Sequence, residues 1–183
     1  EEAASWIEDG MTLGLSGFTR AGDAKVVPVA LAKQAKQGRR PLTVNVYTGA
    51  SLGSGVDTVL AEAGIVGKRL PFQVDSVMRQ KINEGELLFV DQHLSHTAEL
   101  IRAGVMDPID YAIVEAVAVT EDGMIIPSTS VGNSNVFVEH AKHVIIELNV
   151  AQPLALEGIH DIYTAGRPGE SAPHALSPVK RMI

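Results

Sequence analysis

Met11-Thr-Leu-Gly-Leu-Ser-Gly-Phe-Thr-Arg-Ala-Gly22 is a short apolar run that stops abruptly in glycines, a phenylalanine and hydroxyls. An apolar run ending this way before an amphipathic segment reads as strand, loop and helix. The loop then lies at the carboxyl end of a buried strand, where open α/β sheets bind ligands. Gly17 and Gly22 permit positive φ or a close ligand approach, and free N–H groups at the next helix start favour a negative charge. The stretch is therefore a candidate cradle for an anion or oxyanion, against the plainer reading of an ordinary strand-to-helix turn. It matches neither G-x-G-x-x-G nor G-x-x-x-x-G-K-[ST], so dinucleotide and P-loop readings have no support.

Outward from this stretch the same alternation repeats. An opening helix carries Ala3, Ala4, Trp6 and Ile7 and stops at Asp9-Gly10. The first strand runs from Thr12 to Ser16, followed by a helix near Lys25 to Gln37 with Asp23 as its N-cap and Pro28 in its first turn. A second strand, Leu42 to Tyr47, ends in Thr48-Gly49-Ala50-Ser51-Leu52-Gly53, again glycine and hydroxyl. A short helix from Asp57 to Ala63 follows, then an irregular passage from Gly67 to Val74 through Pro71. Ser76 caps a helix to Asn83, Leu87 to Val90 is a strand, and His93 to Ala103 is a helix. Ile109 to Thr120 is the longest apolar run and pairs through a turn with Met124 to Ile126 as a hairpin return. Ser128-Thr-Ser-Val-Gly-Asn-Ser134 is a third loop of this kind, before a helix from Asn135 to Lys142 and a strand from His143 to Leu148.

Strands alternating with short helices predict an α/β fold, an open mostly parallel sheet with helices on both faces. In such a sheet the three loops gather on one edge. The chain of 183 residues, 45% hydrophobic and 20% charged, is long enough for one domain with a real core. Its formal net charge of -7, with the basic residues scattered apart from pairs such as Arg39-Arg40 and Lys180-Arg181, argues against nucleic acid as a partner. Without cysteine there is no disulfide framework, thiolate metal site or cysteine nucleophile. No apolar run approaches the ~18 residues of a membrane span. Both ends read as cut rather than finished, opening without methionine and closing on a Pro/Gly/Ser-rich tail.

Several residues carry candidate chemistry. Glu115 interrupts an apolar run, so it is paired, protonated or placed at a ligand; it is either a carboxylate nucleophile or a residue hydrogen-bonded to a neighbouring loop. Glu147 invites the same two readings. Asp91, His93 and His96, and again Glu139, His140 and His143, have spacings that suit a metal, but neither set makes H-E-x-x-H, and no metal site is assigned. Ser16, Ser51, Ser128, Ser130 and Ser134 lie near the loop edge without G-x-S-x-G, so a serine hydrolase is not indicated. Hydroxyls and amides collected there suit binding a carboxylate or oxyanion better than attacking one. Arg20 either adds charge there or points to solvent.

Taken together, Ser16-Gly-Phe-Thr19 with Ala21-Gly22, Thr48-Gly-Ala-Ser51, Lys81-Ile-Asn83, Asp91-Gln-His-Leu-Ser95, Ile113-Val-Glu-Ala116, Thr120-Glu-Asp-Gly123, Ser130-Val-Gly-Asn-Ser134 and Glu157-Gly-Ile-His-Asp-Ile-Tyr163 resemble the acetyl-CoA hydrolase/transferase family of class I CoA-transferases. The resemblance runs from Trp6 to Tyr163 and is greatest to succinyl-CoA:acetate CoA-transferases. It implies a CoA-transferase-like α/β fold, with residues 1–163 as the amino-terminal domain and 164–183 as a linker into a second domain. The implied reaction moves CoA between short carboxylic acids through acyl anhydride and glutamyl-CoA intermediates. Its nucleophilic glutamate and most CoA contacts belong to the other domain, so no catalytic residue is expected in this chain.

By the same resemblance Gly17, Phe18, Thr19, Gly49, Ser51 and Asn133 line the acyl or carboxylate pocket. Coenzyme A is then a substrate and no cofactor is tightly bound. The implied partners are acyl-CoA, small carboxylates, the second domain or subunit and further copies of the chain, in the cytoplasm or, in a eukaryote, the mitochondrion. Relatives often have threonine where Val74 stands, and Arg20 and Asp23 depart from the usual glycine turn. A hydrolase of short acyl-CoA thioesters and a carboxylate-binding or docking domain are the rival readings.

Overall fold

The structure, a computed structural model, describes residues 1–38 and 41–163. The Arg39-Arg40 pair and the 164–183 segment, with its Lys180-Arg181, lie outside the described residues. In chain order the elements are α1 (Glu2–Ser5), β1 (Thr12–Leu15), α2 (Val26–Lys36), β2 (Val44–Thr48), α3 (Asp57–Glu62), β3 (Val66–Leu70), α4 (Ser76–Asn83) and β4 (Leu88–Phe89). Then come α5 (Leu94–Arg102), β5 (Ile109–Val119), β6 (Ile125–Pro127), α6 (Ser134–His140), β7 (Ala141–Leu148) and a 3-10 turn at Leu154–Leu156.

One sheet has the order β4-β3-β2-β1-β5-β6, with β7 also paired to β5. Every pairing is parallel except the β5–β6 hairpin. Alternate residues serve opposite faces. Leu13, Leu15, Val44, Val46 and Ile113 meet Ala4, Leu31, Leu60 and Met78 from α1 to α4. On the other face Tyr47 and Ala112 meet Ile101 of α5 and Phe137 of α6. Gly14 makes that second layer possible, because a Cβ there would stand 2.7 Å from Phe137 Cγ.

β5 governs the edge where the loops gather. Ala112 pairs with Gly14 of β1 and Val144 of β7, while Ala116 pairs with Pro127 of β6 and Leu148 of β7. A strand has two edges, so β1 and β6 share one and run toward each other along it. They stop opposite Ile113 and Ala116, and the interval between holds Glu115.

Four expectations are corrected. The passage from Gly67 to Val74 contains β3, because Pro71 follows the strand and takes no donor from its ladder. The opening helix is a single turn. Asp75, not Ser76, caps α4, its carboxylate accepting from the N–H groups of Val77 and Met78. α6 ends at His140 and β7 begins at Ala141, two residues earlier than the pattern suggested, since the parallel ladder with β5 extends back to the Ile109–Ala141 pair.

A buried ion pair shapes the loop after β2. Arg69 and Asp57 are both fully buried. Arg69 Nε lies 3.1 Å from Asp57 Oδ1 and Nη2 3.2 Å from Oδ2. Its Nη1 donates to Thr48 Oγ1 and the Leu70 carbonyl at 2.8 and 2.6 Å, and Asp57 Oδ2 accepts from Leu52 N–H at 3.0 Å. Removing one member of a buried pair strands the other charge, at a cost of roughly 3–5 kcal/mol. Arg69→Met is therefore expected to lower unfolding free energy by about that much, read from urea denaturation, and Arg69→Lys to recover only part of it because an ammonium lacks the fork.

Candidate functional site

Three loops converge at the carboxyl ends of β1, β2 and β6, as the sequence predicts. A Cβ on Gly49 would stand 2.9 Å from the Gly17 carbonyl oxygen and 3.1 Å from Gly132 Cα. A Cβ on Gly132, at φ 53, would in turn stand 3.3 Å from Gly49 Cα. The backbones thus touch without side chains between them. Polar ties hold them there: Asn133 Nδ2 donates to the Thr48 carbonyl at 3.2 Å and Ser130 Oγ to the Ala21 carbonyl at 2.6 Å. Gly53 N–H donates to Asp23 Oδ2 at 2.5 Å.

The first loop begins as a two-residue hairpin. Phe18 and Ala21 exchange both backbone hydrogen bonds, at 2.9 and 3.1 Å, with Thr19 at φ 51 and Arg20 at φ 68 between them. Positive φ at both central positions matches the twist of a tight hairpin. Two residues with side chains held there store about 1–3 kcal/mol each, a local strain that gathers at functional sites. The hairpin presents the Phe18 ring, 42% exposed, and the Thr19 side chain. Arg20 is exposed at its tip. Ser51 is buried in the second loop.

Both candidate glutamates are engaged by neighbouring groups. Glu115 and Glu147 are register partners in adjacent parallel strands, so both project toward α2. Glu147 caps that helix, accepting from the N–H groups of Lys25 and Val26 at Oε2, 2.8 and 2.9 Å, and of Val27 at Oε1, 2.7 Å. Asp23 does not cap it, which corrects the expectation from sequence. Glu115, buried, accepts from Ser128 Oγ at 2.7 Å and pairs its other oxygen with Lys25 Nζ. Its N–H, left without a strand partner on that edge, donates to Ser16 Oγ at 2.8 Å.

Asp23 is the carboxylate least provided for. Its Oδ1 is buried and without a hydrogen-bond partner among the described residues. Burial pushes its pKa up, the Gly53 N–H opposes this, and Asp57 and Glu115 add to the rise while Lys25 counters it. A raised folded-state pKa means stability that is fully present below the ordinary carboxyl pKa and declines as pH rises through the raised value. Asp23→Asn is expected to be more stable than the parent at pH 7, the difference vanishing on acidification below the ordinary range. Urea midpoints of both proteins across that interval measure it.

The remaining candidates disperse. His93 caps α5 and its Nδ1 lies 2.7 Å from Ser95 Oγ, with the His96 ring 5.4 Å away. Asp91 and His93 join Phe72, Gln92 and Leu94 around an open cavity of about 550 Å³ between the loops after β3 and β4. His140 ends α6 beside Glu139, and His143 lies on β7 with its ring 5.1 Å from Tyr111. Among the described residues no group of three or more His, Asp or Glu is placed to hold a metal. Ser134 is buried at the start of α6, and Val74 is 39% exposed after β3. Lys25, Asp57, Arg69 and His160 were not singled out by sequence, because each takes its role from a partner at least 12 residues away.

The sequence profile of the acetyl-CoA hydrolase/transferase N-terminal domain matches residues 1–179. The chain belongs to that family. It is 49% identical over 171 residues to the succinyl-CoA:acetate CoA-transferase of Clostridium kluyveri, covering 93% of this chain and 32% of that protein. It is 37% identical over 194 residues to the acetyl-CoA hydrolase of Candida glabrata, covering 100% of this chain and 36% of that one. The chain therefore spans about a third of the length of these curated relatives. In fold it resembles the glutaconate coenzyme A-transferase of Acidaminococcus fermentans, with a TM-score of 0.59 at 16% identity, covering 79% of this chain and 63% of that one. Among the described residues no helix is long and apolar enough to cross a membrane.

Proposed function

We propose that residues 1–163 form the amino-terminal domain of a CoA-transferase acting on short carboxylic acids. It exchanges CoA between acetyl-CoA or succinyl-CoA and acetate or succinate, and it supplies part of the acyl pocket through Gly17, Phe18, Thr19, Gly49, Ser51 and Asn133. The observation that supports this reading is the backbone-to-backbone junction of three strand-end loops at Gly17, Gly49 and Gly132. Such an edge offers amides and hydroxyls to an oxyanion, while Glu115 and Glu147 are already engaged and do not compete for it.

In the proposed sequence a carboxylate of the enzyme attacks the acyl thioester, forming an anhydride as the CoA thiolate leaves. The thiolate then attacks the enzyme carbonyl of that anhydride, forming glutamyl-CoA and releasing the first acid. An incoming carboxylate reverses both steps. The amides at the strand ends stabilise each tetrahedral oxyanion. The attacking glutamate comes from a second domain or subunit, so this domain alone is inactive.

The name of the Candida glabrata relative favours a second reading, in which water takes the acyl group. The protein purified from its source, given acetyl-CoA with succinate, distinguishes them. Succinyl-CoA and acetate are the expected products; free CoA and acetate without succinyl-CoA would make it a hydrolase, and formation of neither succinyl-CoA nor free CoA would overturn both readings. Ser51→Ala is expected to raise KM for the carboxylate about fivefold with little change in kcat, the loss of one hydrogen bond.

A further inference from the structure

The last described stretch, residues 149–163, folds back against the β5–β6 hairpin. Ile162 is buried in a cluster with Val114, Ala116 and Ile125. Two residues earlier, His160 Nε2 lies 2.6 Å from the Ser128 carbonyl oxygen, so that nitrogen carries the proton and donates. Ser128 Oγ donates to Glu115, Glu115 N–H to Ser16 Oγ, and Ser16 Oγ to the Gly22 carbonyl at 2.8 Å. Three consecutive carbonyls of the glycine loop are thereby held by side chains: Ala21 by Ser130, Gly22 by Ser16 and Asp23 by Lys25 at 3.0 Å. Ser128 and Ser130 belong to the loop that His160 grips, and Lys25 to the carboxylate that Ser128 meets.

We propose that His160 is a positioning residue for the acyl pocket, its hold on the Ser128 peptide passing through Glu115 and Ser16 to the backbone of the Ser16–Asp23 loop. The proposal rests on the CoA-transferase reading for its consequence in turnover, though not for its geometry. Packing of the stretch is the work of Ile162. The part-buried His160 contributes one directed hydrogen bond, and its effect falls on the shape of the loop rather than on overall stability.

The test compares His160→Ala and His160→Gln with the parent, in the protein at its natural length. Amide hydrogen exchange across 16–23, KM and kcat for the carboxylate, and the urea midpoint are measured together. His160→Ala is expected to speed exchange in 16–23 about tenfold over the rest of the sheet and to raise KM five- to tenfold with kcat within about twofold. His160→Gln, whose amide can donate to the same carbonyl, is expected to restore most of both. If His160→Ala does not fold, His160→Asn, with a shorter amide, carries the same expectation.

Exchange in 16–23 that stays at the parent level, or that rises equally throughout the sheet, overturns the proposal. So does a His160→Gln protein no better than His160→Ala. If the parent shows neither transfer nor hydrolysis, the proposed reaction fails, and the exchange comparison still decides the role of His160.

Discussion

The arrangement depends on a gap in a strand ladder. β1 and β6 approach from opposite directions along one edge of β5 and both stop short of Glu115. A buried backbone donor left without a partner costs about 1–3 kcal/mol. Ser16, the first residue beyond β1, supplies the acceptor, and its own proton is passed to Gly22. Much of the polar structure at the loop edge follows from that one accommodation. The carboxylate of Glu115 draws in Lys25 and Ser128, and these in turn hold the loops from which they come.

The N-terminus of α2 is the electrostatic counterpart of this gap. Two glutamates from neighbouring strands face the same helix start, one on its amides and one on the ammonium of Lys25. A helix start carries roughly half a positive charge, so it offers a natural home for the first carboxylate, and Lys25 for the second. On the other side of the site the Arg69–Asp57 pair holds the second loop by the Thr48 hydroxyl, the Ala50 carbonyl and Leu52 N–H. Both flanks therefore neutralise their own charges internally.

Much of this was legible in the sequence, for a physical reason. Apolar runs closed by glycine and hydroxyl mark strand ends by local chemistry, and parallel pairing brings the loops of Gly17 and Gly49 to one edge, whereas the loop of Asn133 arrives there because antiparallel β6 stops opposite Ala116, facing the end of β1. What sequence does not carry is a partner remote along the chain. The cap of α2 comes from Glu147, some 120 residues away, so the nearby Asp23 looked like the better candidate. β3 was hidden because Pro71 lies in the same passage and reads as a breaker, and Arg69 belongs indoors only once Asp57 is opposite it. Glu115 was recognised as needing a partner, but its ammonium and hydroxyl lie on other elements.

The hairpin at Thr19 and Arg20 bears on how the protein would respond to selection. Both residues occupy a backbone region that glycine enters freely, and Thr19, being β-branched, is the more uncomfortable of the two. A laboratory search for heat-resistant variants would be drawn to these two positions, where relief of strain is available from a single change. The same change would slacken the turn that presents the Phe18 ring, so robustness and a well-defined site edge pull in opposite directions there.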